Sequence, residues 1–91
     1  MNKTSNKLNN FANNLKNALY AKGWSQNQLA RKLGITQQCV SRWVKGNREP
    51  SIDDIILICY FLDEDPNELI GFNDLSPDEL KNFDNLFENK N

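Results

Sequence analysis

Helix punctuation is the feature that most constrains this chain. Ser25-Gln26-Asn27-Gln28 has the S-x-x-Q form of a capping box, in which each end of the phrase satisfies a backbone donor of the other. Thr36 is a good N-cap for another helix, Ser51 precedes Ile52-Asp53-Asp54, and Asp65 precedes Pro66 at a first helical position. Gly23, Gly34 and Gly46 fall where such helices must stop. No stretch shows the strict alternation of a strand. The phrases therefore divide the chain into short helices: one ending at Gly23, a second through Leu33, a third from Thr36 to about Lys45, a fourth after Ser51 and a short fifth after Asp65. Ser76-Pro77-Asp78-Glu79 repeats the opening grammar for a sixth.

The expected fold class is all-α, a five-helix bundle over residues 7–71 followed by an amphipathic C-terminal helix over 75–91. Leu8, Phe11, Leu15, Ala18 and Leu19 mark the buried stripe of the first helix. That helix is rich in Asn, a weak helix former, so residues 1–6 read as a disordered lead-in. With 91 residues the chain has room for one modest core and no deep cleft between lobes. It contains no histidine, and Cys39 and Cys59 stand alone, which removes the common zinc frameworks and every histidine-dependent catalytic triad. The expectation is a non-enzymatic cytoplasmic protein with two free thiols, no cofactor, no metal and no membrane segment. Asp63-x-Asp65-x-Asn67 begins like a calcium loop, but Pro66 interrupts it and Glu68 stands where glycine is required, so capping explains these residues better.

The net charge of −1 conceals a segregation. Residues 1–50 hold nine basic side chains and one acidic one, while residues 51–91 hold eleven acidic and two basic. Such asymmetry suits a chain with one half turned to a polyanion. Two short helices around a glycine turn, inside the basic half, are the elements of a helix-turn-helix. Ala30 lies where the two helices must cross closely, Gly34 lies in the turn, and Leu33, Val40 and Trp43 point the same way to fill the wedge.

From Trp24 to Gly71 the chain resembles the phage repressor/Cro-like helix-turn-helix DNA-binding domains. The matching features are Ser25-Gln26, Leu29-Ala30, Leu33-Gly34, Thr36, Val40-Ser41, Gly46, Pro50-Ser51, Leu62 and Leu69-Ile70-Gly71. The resemblance implies a transcriptional regulator, in the first instance a repressor, whose third helix enters the major groove of double-stranded DNA. Carried over by position, it makes Gln37, Gln38 and Arg42 base contacts, with Gln suited to adenine and Arg to guanine. It makes Gln26 a phosphate contact at the start of the second helix, assisted by Asn27, Lys45, Asn47 and Arg48. Without the resemblance these side chains would read only as a solvated face. Trp24 and Trp43 read as core, and Cys39 as a small packing residue on the recognition helix.

Three departures stand out. Relatives pair an acid at the position of Val44 with a base at the position of Leu19, and both are apolar here; a packed apolar pair can replace a buried ion pair without loss. Asp63-Glu64-Asp65 replaces a glycine and an apolar residue after the fourth helix. That helix is apolar without a break from Ile55 to Leu62, where relatives carry polar residues at the positions of Leu57 and Tyr60. The surplus points to a homodimer, or to docking of the C-terminal helix, through Leu57, Tyr60 and Phe61 with Leu80, Phe83 and Phe87. An antitoxin-like protein-interaction module on the same fold is the competing reading.

Overall fold

The computed structural model describes residues 3–72, 75–78 and 81. Five helices follow one another: α1 (Lys3–Lys22), α2 (Gln26–Leu33), α3 (Gln37–Val44), α4 (Ile52–Leu62) and α5 (Pro66–Leu69). Among the described residues there is no strand, and the all-α reading holds. The expected sixth helix falls mostly outside the described residues, which include helical turns only at 77, 78 and 81.

The punctuation becomes hydrogen bonds. The Ser25 hydroxyl accepts from the Gln28 amide at 3.1 Å, and the Gln28 side chain accepts from the Ser25 amide at 2.7 Å. Ser51 and Asp54 reproduce that box on α4 at 3.0 and 2.9 Å. Thr36 caps α3 through the Cys39 amide, and Asp65 caps α5 through the Asn67 amide. The stops are equally regular. At the end of α2, Gly34 takes φ +70° while Ile35 donates back to the Ala30 carbonyl at 3.0 Å and Gly34 to Arg31 at 3.3 Å. This pair of bonds is the Schellman closure, which satisfies carbonyls that would otherwise be orphaned. Trp24 to Leu19 and Asn47 to Arg42 close α1 and α3 the same way.

α4 closes with the same bond, from the Glu64 amide to the Cys59 carbonyl at 3.0 Å, yet the residue at the turn is Asp63. Its φ of +54° is left-handed. The chain therefore keeps the left-handed turn geometry at α4 although an aspartate replaces the glycine.

Each helix contributes its apolar side to one core: Phe11, Leu15, Ala18 and Leu19 from α1, Leu29 and Ala30 from α2, Val40, Trp43 and Val44 from α3, Ile58, Cys59 and Leu62 from α4, and Leu69 from α5. Leu19 and Val44 are both buried there, as an apolar pair requires. Trp43 sits at the centre, fully buried, with the Phe11 ring edge-on at 6.5 Å. Among the described residues its indole N–H has no acceptor, so Trp43 is held there by packing.

Two expectations change. α1 starts at Lys3, so residues 3–6 are helical where a disordered lead was expected. Trp24 is only half-buried: it packs on the core from the rim, with the Lys22 and Lys32 ammonium groups each 5.9 Å from its ring centroid. Indole next to two lysine stems is a cation–π arrangement at the surface rather than a core position.

Candidate nucleic-acid interface

The candidate surface is built by the way α3 divides its residues. Val40, Trp43 and Val44 are buried and Cys39 is half-buried, which fixes the helix by its inner side. Gln37, Gln38, Arg42 and Lys45 are all exposed. The four-residue spacings Gln37–Ser41–Lys45 and Gln38–Arg42 put these side chains on one outward face. Ser41, which the sequence reading matched to the family without assigning it a contact, stands at the middle of that face and is half-buried. Serine carries no charge or apolar signal of its own, so only the helix register reveals it.

α2 packs beside α3 and holds it by Leu29 and Ala30, the latter 1% exposed. Such close contact needs alanine's small side chain. At the start of α2, Gln26 is half-buried and Asn27 exposed, in a first turn whose backbone N–H groups have no helical acceptor. The Gln28 side chain is occupied by the capping box, so Gln26 and Asn27 are the amides of this turn left to meet a ligand. Past α3, Asn47 and Arg48 are exposed in the loop. The Asn47 backbone closes the helix by donating to Arg42 at 2.9 Å, which fixes where this loop leaves. The arrangement combines amide and guanidinium donors on a helix face with cations and free N–H groups at its edges, as polyanion recognition requires.

Of the second expected set of residues, only Leu57, Tyr60 and Phe61 lie among the described residues. Leu57 and Tyr60 are exposed, at 40% and 78%, while Phe61 is half-buried with its ring 5.1 Å from that of Tyr60. Leu80, Phe83 and Phe87 lie outside the described residues. Cys39 and Cys59 are both free. Burial, and secondarily Glu64 and Asp65, push the Cys59 thiol pKa up. Among the described residues no group of acidic or cysteine side chains could hold a metal, and no helix is long and apolar enough to cross a membrane.

The bundle and its outward α3 define a helix-turn-helix DNA-binding fold. A helix-turn-helix family model matches residues 15–69. Among solved structures, the restriction-modification controller protein C.AhdI from Aeromonas hydrophila is 34% identical, over 68% of this chain and 94% of its own, with a TM-score of 0.64. A hypothetical transcription factor, NHTF from Neisseria, shares the fold at a TM-score of 0.68 and 23% identity, over 91% of both chains. No curated protein matches. The chain belongs to the Cro/C1-type helix-turn-helix family, and its function lies in DNA-binding transcriptional regulation.

Proposed function

We propose that this protein binds double-stranded DNA sequence-specifically and acts as a repressor. The observation that carries the reading is the two-sidedness of α3: three buried apolar side chains fix its back, while Gln37, Gln38 and Arg42 stand exposed on its front. Side chains held on a rigid helix can discriminate base edges, whereas the same groups on a loop would pay more ordering entropy. Gln37 and Gln38 are assigned to adenine edges, Arg42 to guanine, and Ser41 joins them at the centre of the face. Gln26, Asn27, Lys45, Asn47 and Arg48 are assigned to the sugar-phosphate backbone, where they set register without reading sequence.

One such helix covers too few base pairs to single out a site among ~10⁶ competitors. The functional unit on DNA is therefore a homodimer on half-sites ~34 Å apart. The exposed apolar residues Leu57 and Tyr60, with Phe61 beside them, give α4 the means of pairing. The relationship to a controller protein supports a regulatory role, and a dimer seated across a promoter represses by occupying it. That same α4 face is what favours the second reading, a module that binds another protein.

Gel shifts against fragments surrounding the chain's own gene, titrated with salt and with random competitor DNA, test the proposal. Retention of one fragment at competitor excess is expected, with affinity falling steeply as salt rises. Equal competition by random DNA would leave a non-specific binder, and no shift at any salt would favour the protein-interaction module.

A further inference from the structure

The outward side of α4 carries one charged group among apolar ones. Ile52, Ile56 and Tyr60 are 77%, 58% and 78% exposed, Leu57 is 40% exposed, and Asp53 is exposed among them. Asp53 precedes Ile56 by three residues, Leu57 by four and Tyr60 by seven, the spacings of a single helix face. It is not the residue that caps the helix, since Ser51 and Asp54 form that box between themselves. Core and cap thus leave the stripe with two polar groups, a carboxylate that only accepts and, two turns along, a phenol that can donate. The Tyr60 ring lies edge-on to Phe61 at 5.1 Å, which restricts where that hydroxyl stands.

Two copies of this stripe are complementary in one direction only. A two-fold pairing sets the same patch against itself. Run parallel, the helices would put Asp53 against Asp53, two like charges in apolar surroundings. Run antiparallel about the midpoint between Ile56 and Leu57, they put the Asp53 carboxylate of each copy opposite the Tyr60 hydroxyl of the other, with apolar side chains meeting between. The two carboxylates then stand seven residues apart along the axis, about 10 Å. A slip of one turn would bury each carboxylate against isoleucine or leucine without a partner, which is unfavourable.

We infer that a second copy of this chain pairs antiparallel on the α4 stripe, in a register set by reciprocal Asp53–Tyr60 hydrogen bonds. The inference rests on the proposed role of α4 in pairing and adds its direction and alignment. α4 has 11 residues and is about 16 Å long. A contact of that length falls short of the ~800 Å² per partner of a stable interface. Apolar area alone therefore holds the copies loosely, and the charge-assisted bonds decide which alignment is kept.

Sedimentation of the full chain, alone and on a selected operator, tests the register with Asp53→Lys, Tyr60→Glu and the double variant. Unchanged amide shifts in α2 and α3 check that each variant folds. Each single variant is expected to dimerise about tenfold more weakly than the wild type, or worse. Tyr60→Glu is expected to lose more, because it sets two pairs of like charges against each other. The double variant is expected to recover about tenfold over Tyr60→Glu, since the introduced lysine of each copy then faces the introduced glutamate of the other. Within one chain the two positions are about 10 Å apart, so a role of Asp53 confined to its own helix end gives no recovery. A double variant as weak as Tyr60→Glu, or weaker, overturns the register and leaves the dimer standing. Variants that all dimerise as tightly as the wild type place the interface elsewhere and overturn both. If the wild type is monomeric alone and binds the operator as a single copy, the pairing role of α4 fails and the register with it.

Discussion

Asp63 carries out a task that the chain gives to glycine at the ends of α1, α2 and α3. A left-handed conformation crowds any Cβ against the backbone, although aspartate tolerates it better than most residues. Asp63→Gly is therefore expected to raise stability by about 0.5–1 kcal/mol, and Asp63→Val to lower it by about 1–2 kcal/mol. Thermal melts resolve both, since 1 kcal/mol moves the midpoint by roughly 4–8 °C in a domain of this size. No change in either direction would mean that the turn relaxes to another conformation. The thiols give a second check at this scale. Burial and the nearby carboxylates raise the Cys59 pKa above the ordinary 9.0, so the folded state keeps a proton that the unfolded chain loses. The stability this supplies is present below pH 9 and is lost as pH climbs from there through the folded value. Alkylation at pH 8 is accordingly expected at half-buried Cys39 first, with Cys59 modified only on unfolding; Cys59 reacting first would contradict its packing.

At the scale of elements, α5 depends on side-chain bonds from another helix. Its four residues are too short to stand alone, and Asn14 on α1 ties it down by donating to the Glu68 carbonyl at 2.9 Å and the Leu69 carbonyl at 3.4 Å. Gly71 completes the contact: at φ +84°, an added Cβ would come within 3.2 Å of the Asn10 Cβ. Asn14→Ala is expected to cost about 1 kcal/mol and Gly71→Ala about 1–3 kcal/mol. Hydrogen exchange should locate the damage, with Leu69 and Ile70 amides exchanging faster while those of α2 and α3 stay protected. Uniform loss of protection would instead mean that α5 is integral to the core. Four N-caps and three glycine stops were legible in the sequence because capping is local chemistry, complete within four or five residues. The start of α1 was not, because Asn-rich propensity argues against a helix there and gives no sign of where it begins. Trp24 was misread for a related reason: its ring lies at the rim under two lysines, a placement that comes from the meeting of α1 and α2. Ser41 was matched to the family but given no contact, because its place on the outward face of α3 shows only in the helix register. Asp63 was recognised as a departure, yet only the backbone reveals that it keeps the geometry.

At the scale of the whole molecule, charge divides the chain into a basic half and an acidic half, which the proposed function assigns to DNA and to pairing. Positive charge gathers before residue 51, in the segment that carries α2 and α3, and negative charge from there on, in the segment that carries all of α4 and α5. On the proposed function, the acidic side would repel phosphates and so orient the approach of the basic half to DNA. The measurement that tests this account most directly is binding of the wild type, Gln38→Ala and Arg48→Ala to a selected operator and to random DNA, each over a series of salt concentrations. Gln38→Ala is expected to lose roughly 1–3 kcal/mol on the operator, with relaxed preference at one base pair and unchanged affinity for random DNA. Arg48→Ala is expected to weaken binding to both DNAs alike and to reduce the salt slope by about 1. If both variants lose affinity equally on operator and random DNA, α3 does not read sequence and the central claim is wrong.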